Sequence, residues 1–211
     1  MSQVINTSQG EYVFEPKVFT TGGKVIGKVV SKENLFLFKS VMEKGNVSFS
    51  LAYGTLLGAV RDSDFISHDE DTDVAILKED EEKFLDLLFN FKAVGFEVGR
   101  YEDGLLSLVR GGEYIDIYIF KKTFLGYRKF GEIILKEKYL LDTSAYRFLG
   151  GEFQVPTNYI GYLKAHYGDT WGTPIKGNHA CNPGPYLWVR NMLKKNFPPM
   201  FKIISAIKRF L

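Results

Sequence analysis

The stretch Tyr53-Gly-Thr-Leu-Leu-Gly-Ala-Val-Arg61, followed after a polar loop by His68-Asp-Glu-Asp-Thr-Asp-Val74, decides how the rest of this 211-residue chain is read. Asp71 and Asp73 alternate at the edge of an apolar run, residues 74–77, that reads as a strand. Side chains repeat every two residues along a strand, so both carboxylates fall on one side of the pleat. Asp69 continues the same parity if the strand begins that early. Carboxylates this close repel one another, and a divalent cation is the usual compensation. Magnesium, or manganese in its place, suits hard oxygen ligands and leaves positions for phosphate and water.

A third carboxylate comes from Glu113-Tyr-Ile-Asp-Ile-Tyr-Ile-Phe120. Asp116 stands between Ile115 and Ile117 in an otherwise apolar strand, where an acid is costly unless a metal or a partner compensates it. Beside the 72–77 strand it completes a three-carboxylate cradle. The other reading is a buried acid paired with an arginine such as Arg110. Upstream, Gly54 and Thr55 sit where a strand turns into a helix. Glycine lets a phosphate approach the backbone, threonine offers a hydroxyl, and a helix N-terminus offers N–H groups and positive dipole. Arg61, one helix later, either neutralises another phosphate oxygen or salt-bridges the acidic loop. Cradle, carboxylates and cation together point to attack at phosphorus.

Working outward, residues 1–30 read as a β-rich lead, with Tyr12-Val-Phe and Val25-Ile26 on either side of a turn at Thr21-Gly22-Gly23. A helix is expected from Ser31 to the Gly45-Asn46 stop, with a strand over 47–53 and a short helix over 54–60. Next come a strand over 72–77 and one helix over 78–91, whose acidic first turn suits the dipole. Strands at 95–101, 105–110 and 114–120 follow, joined as hairpins at Asp103-Gly104 and Gly111-Gly112. A helix from Pro156 to about Tyr167 is closed by Gly168. Residues 172–185 form a Gly/Pro/Asn-rich loop or lid, and 186–211 a basic helical tail. The sum is α/β (α+β), a mixed sheet flanked by helices. The divisions are the lead (1–30), a catalytic domain (31–175) and a loop with tail (176–211).

Gly-Thr-Leu-Leu-Gly-Ala-Val-Arg before an Asp-x-Asp-x-Asp box resembles the LicD/fukutin-related family, a branch of the polymerase-β-type nucleotidyltransferases. Ile115-Asp116-Ile117 resembles its third-acid strand. Phe153-Gln-Val-Pro156 with Tyr162-Leu-Lys-Ala-His-Tyr-Gly-Asp-Thr-Trp171 resembles its late signature, so the likeness covers roughly residues 45–175 in three ordered blocks. It implies a nucleotidyltransferase-like fold and transfer of a phosphorylated alcohol, such as phosphocholine or ribitol phosphate, from a CDP-activated donor to a glycan hydroxyl. Asp71 and Asp73 would then be metal ligands, with Asp116 a further ligand or the base for the hydroxyl. Gly54, Thr55 and Arg61 would contact donor phosphates. The family usually has Pro-Trp before the box; here Ser67-His68 stands there, with His68 read as a contact to base or phosphate, or as an incidental loop residue. Surface-polysaccharide or lipopolysaccharide decoration follows, with a lipid-linked glycan among the acceptors. Two rivals remain: transfer of NMP to a small molecule or protein by the same cradle, and an inactive binding module of the same fold.

Bulk composition agrees with a soluble domain: 45% hydrophobic, 25% charged, and a net charge of +2 that is too near neutral to imply nucleic acid. Cys181 is the only cysteine, which excludes an intrachain disulfide and fits a reducing cytoplasm. His166, His179 and Cys181 match no standard zinc spacing. The N-terminus is polar, without the apolar core of a signal peptide, and no apolar run reaches the ~20 residues that cross a bilayer. Two readings stand for 186–211: a basic amphipathic helix lying on the inner face of an anionic membrane, or one packed on the domain with its lysines solvated. Asp62, Asp64, Glu70 and the acids of 79–82 read as solvated surface.

Overall fold

The computed structural model describes residues 1–19, 22, 24–123 and 125–174. Strands β1 (Gln3–Thr7) and β2 (Gly10–Phe14) form an antiparallel hairpin whose inner residues Ile5, Tyr12 and Phe14 are buried. Helix α1 (Lys28–Lys44) buries Leu35, Phe38, Val41 and Met42, the stripe its period dictates. Strand β3 (Ser50–Leu51) leads at once into helix α2 (Tyr53–Arg61), then β4 (Thr72–Leu77). A 3-10 turn (Lys78–Asp80) and two short helices, α3 (Glu81–Asp86) and α4 (Leu88–Ala93), precede three long strands. These are β5 (Glu97–Glu102), β6 (Leu105–Arg110) and β7 (Glu113–Lys122). Two further hairpins bracket a single helical turn: β8 (Tyr127–Phe130) with β9 (Ile133–Lys136), α5 (Lys138–Leu141), and β10 (Thr143–Phe148) with β11 (Gly151–Pro156). Helix α6 (Tyr159–Tyr167) is the last described element.

The central sheet has the order β3-β4-β7-β6-β5, and β8 and β9 extend it from the far end of β7. It is mixed, as expected: β4 and β7 run parallel, while the other pairs are antiparallel. The turns at Asp103-Gly104 and Gly111-Gly112 carry positive φ at both positions (49° and 82°, 60° and 79°). That is the primed geometry whose twist suits a two-residue hairpin, and it fixes the register of β5, β6 and β7. Along β7, Ile115, Ile117 and Ile119 point one way and Asp116, Tyr118 and Phe120 the other, so one face is aliphatic and the other carries the acid.

Several boundaries differ from those the sequence suggests. The N-terminal hairpin turns at Ser8-Gln9, where the Thr7 hydroxyl accepts from the Gln9 N–H and donates to the Gly10 carbonyl; of the turn expected at 21–23 only Gly22 is among the described residues. Helix α1 starts three residues before Ser31, and the strand expected over 47–53 is two residues long. The helix expected over 78–91 is broken because the Leu87 N–H bonds to the carbonyl of Phe84, three residues back. Pro156 ends a strand instead of opening a helix; α6 starts at Tyr159, and the Asn158 side chain accepts from the Gly161 N–H. Glu81, read as solvated, is buried and accepts from the Tyr101 hydroxyl. The lid from 175 onward and the tail 186–211 lie outside the described residues.

Gly58 marks the tightest packing of α2. A Cβ there would stand 2.5 Å from the Asp64 carbonyl oxygen and 3.1 Å from the Ile66 nitrogen. Neither backbone atom can retreat without moving the acidic loop. Gly58→Ala is expected to destabilise the protein by about 1–3 kcal/mol, read as a drop in Tm of about 2–4 °C per kcal/mol.

Candidate active site

The site is one row of side chains running across the sheet. Asp73 of β4 pairs in register with Asp116 of β7, Asp116 with Ser107 of β6, and Ser107 with Arg100 of β5. Paired positions in adjacent strands project to the same face about 4.8 Å apart, so these four side chains lie side by side. Arg100 enters the row only because β5 bulges between Val98 and Arg100. Without the extra residue Gly99 would occupy that register, and the arginine would point to the other face.

Asp73 is held from three directions. Its carboxylate accepts from the Gly54 N–H at 2.9 Å and from the Tyr118 hydroxyl. Its own N–H donates to the Thr55 hydroxyl oxygen at 2.8 Å. The first turn of α2 is thereby spent on positioning Asp73, and Thr55 is 1% exposed. Gly54 leaves room for the acids: a Cβ there would displace the Asp69 carboxylate and stand 3.1 Å from Asp73 Oδ2. Asp116 accepts from the Ser107 hydroxyl and from Arg100 Nη2, at 2.8 Å to Oδ2 and 3.1 Å to Oδ1.

Carboxylate oxygens of Asp69, Asp71 and Asp73 lie within 4.8 Å of one another. Burial pushes the titrations of Asp71, Asp73 and Asp116 upward, helped at Asp71 and Asp73 by the neighbouring acids. Asp71 rises to about 8, first by burial and then through Asp116, Asp69 and Glu70, with Arg100 opposing. Asp73 is raised well above the carboxylate range by burial and by Asp71, Asp69 and Asp116, against the Tyr118 hydrogen bond. Asp116 is raised by burial, with the Ser107 and Arg100 bonds working the other way. Burial and these acids also push up the Tyr118 and Tyr114 hydroxyls. Hard oxygens crowded together, and reluctant to ionise together, form a donor set that fits one small divalent cation.

The structure thus brings Asp71, Asp73, Asp116, Gly54 and Thr55 together. It does not bring Arg61 to them. Arg61 ends α2, about 10 Å along the axis from Gly54 at 1.5 Å per residue, and its Nε and Nη2 donate to Asp62 at 2.8 and 2.7 Å. His68 is exposed and directly precedes Asp69 of the acidic cluster. The arginine that pairs with Asp116 is Arg100; Arg110 instead bonds the Val94 carbonyl, Asn34 and Glu33. His166 packs among the rings of Tyr53, Tyr162 and Tyr167, while His179 and Cys181 lie outside the described residues. Sequence reasoning assigned no role in the site to Ser107, Arg100 or Tyr118. A serine inside the apolar run Leu105–Arg110 was the one available signal for them.

Residues 46–158 match the family described as LicD/FKTN/FKRP, nucleotidyltransferase domain. Human ribitol-5-phosphate transferase FKTN is 28% identical over 158 residues, which cover 69% of this chain and 34% of that protein. The lipopolysaccharide cholinephosphotransferase LicD of Haemophilus influenzae is 38% identical over 81 residues, 38% of this chain and 30% of that one. An uncharacterised protein of Rickettsia typhi is 31% identical over 132 residues, 60% of this chain and 42% of that one. The chain therefore spans well under half the length of each of these relatives. More than half of its own residues fall inside the family match, and the chain belongs to the LicD/FKTN/FKRP nucleotidyltransferase-domain family.

Proposed function

We propose that this protein transfers a phosphorylated alcohol, of the phosphocholine or polyol-phosphate kind, from a CDP-activated donor to a glycan hydroxyl, with Mg2+ or Mn2+ as cofactor. The observation that carries this reading is the convergence of Asp69, Asp71 and Asp73 beside Asp116, from two stretches of chain that meet only through the parallel β4–β7 register. The names of the FKTN and LicD relatives support the choice of phosphoalcohol and glycan.

Asp71 and Asp73, with Asp69, are the residues that would hold the cation, and Asp116 borders them. When bound, the cation withdraws charge from the donor's phosphate oxygens. Asp73 is fixed by Gly54 and Tyr118, so the ligand geometry is set before substrate arrives. The acceptor oxygen forms a bond to the phosphorus that carries the alcohol. The bond from that phosphorus to the bridging oxygen breaks, and its electron pair leaves with CMP. Asp116 Oδ2 takes the hydroxyl proton; burial keeps that carboxylate basic while Arg100 and Ser107 hold its orientation. Among the described residues no helix is long and apolar enough to cross a membrane. Contact with a lipid-linked acceptor would fall to the basic stretch 186–211.

Thermal melts with CDP-choline, CDP-ribitol and CDP-glycerol, each with Mg2+, test the reading. A ligand at a hundredfold its Kd adds about 2.7 kcal/mol, and one of the three is expected to raise Tm by about 5–10 °C. The same donor should then release CMP when a glycan acceptor is supplied. No stabilisation by any of the three with Mg2+ or Mn2+ sinks the proposal, and nucleotide retained on the acceptor establishes NMP transfer instead.

A further inference from the structure

We propose that Arg100 is the side chain that grips a phosphate oxygen of the donor, through Nη1, from a guanidinium locked in place by Asp116, Ser107 and the ring of Phe19. This rests on the phosphotransfer reading above and names a residue that the sequence motif does not contain.

Three contacts fix the guanidinium. Nε donates to the Ser107 hydroxyl at 3.1 Å, Nη2 donates to Asp116, and the group stacks over the Phe19 ring with 4.7 Å from Cζ to the centroid. Nη1 makes no hydrogen bond among the described residues, on a side chain that is 25% exposed. A planar fork already ordered on two sides presents its remaining donors at little further cost in side-chain entropy.

The surrounding backbone is arranged to allow this. The Lys17 N–H donates to the Gly99 carbonyl at 2.8 Å, tying the N-terminal lead to the edge strand at its bulge. A Cβ on Gly99 would lie 2.8 Å from Phe19 Cζ and 2.8 Å from Val109 Cγ2, so a side chain there would press on the Phe19 ring or on Val109. Tyr114 packs edge-on against that ring, at 4.8 Å between centroids.

Electrostatics single out the same residue. A diphosphate donor brings negative charge into a site that already holds Asp69, Asp71, Asp73 and Asp116, and the Arg100 cation acts on both Asp71 and Asp116. The other arginines near this end of the fold are committed elsewhere: Arg61 to Asp62, Arg110 to Glu33 and Asn34, and the buried Arg128 to Glu79. Guanidinium groups bridge a carboxylate and a phosphate readily, because their donors diverge in one plane.

The test is calorimetric titration of the full chain with CDP at saturating Mg2+. Arg100→Gln is expected to weaken CDP at least tenfold and Arg100→Lys less, since lysine keeps the charge but not the fork. A second comparison removes the structural explanation. Between Asp116→Asn and the double variant Asp116→Asn/Arg100→Gln the tenfold loss should persist, because the phosphate contact does not run through Asp116. Equal CDP affinity in wild type and Arg100→Gln overturns the assignment and leaves the phosphotransfer reading standing. So does a loss that vanishes in the Asp116→Asn background. A wild-type protein that binds no CDP with Mg2+ overturns both. If a glutamine variant does not fold by circular dichroism, Arg100→Lys is judged in its place, and unchanged affinity there overturns the assignment.

Discussion

Asp73→Asn is expected to lower turnover at least a hundred- to a thousandfold, the scale of losing one charge-stabilising group in a preorganised site, while the metal-free protein becomes more heat-stable. The two halves have separate causes. Asparagine keeps an oxygen where Gly54 N–H and the Tyr118 hydroxyl donate, so the bonds that place the first turn of α2 survive. What disappears is one charge of the buried cluster, where Asp71, Asp69 and Asp116 all oppose ionisation of Asp73. Removing a like charge relieves the fold and removes a cation ligand in the same step. Asp71→Asn should behave similarly. The measurement pairs CMP release at saturating donor and Mg2+ with melts in a chelator. Near-normal turnover in the folded variant would remove the proposed mechanism.

How much of this was legible beforehand divides along a physical line. Alternation of charged and apolar residues within one strand is local, so Asp71, Asp73 and Asp116 were readable as a set, as were the hairpin turns at Asp103-Gly104 and Gly111-Gly112. Which residues face one another across strands is not local. It depends on turn geometry summed through β5, β6 and β7, and on a bulge that costs one residue of register at Gly99. For that reason Arg100 and Ser107 are invisible in the sequence, and Arg110, nearer to Asp116 along the chain, is the arginine that the alternative reading of Asp116 offers.

Asp69 shows a second kind of limit. Parity along a strand was the argument for it, yet β4 begins at Thr72, three residues later. Its carboxylate joins the cluster through the loop, whose backbone is pinned where the Ile26 N–H bonds the Asp69 carbonyl at 2.7 Å. A contact between the N-terminal lead and the acidic box has no sequence signature. The same holds for β8–β11, where short strands with mixed polarity gave no period strong enough to read.

Without metal, the protein should lose stability as pH rises from about 4 to about 8, and Mg2+ should reverse the trend. Asp71 has an ordinary value of 3.8 in the unfolded chain and about 8 in the fold. Between those limits the folded state keeps a proton that the unfolded state has released. The state that binds more protons is then the native one, so stability falls with increasing pH. The contribution is complete below the unfolded value and gone above the folded one. Asp73 and Asp116 are shifted in the same direction and add to it. Asp62, Asp64 and Glu79 are lowered by their cationic partners and act the other way, but they are largely solvated and screened. A cation needs the ionised carboxylates, so its affinity grows over the same interval. The experiment compares Tm against pH in chelator and in Mg2+, for wild type and for Asp71→Asn. The wild-type curve should fall relative to the variant's in chelator and rise relative to it in Mg2+. Parallel curves under both conditions would mean that the three aspartates at 69, 71 and 73 do not act together on one ion, and the chemistry assigned to them would have to be abandoned.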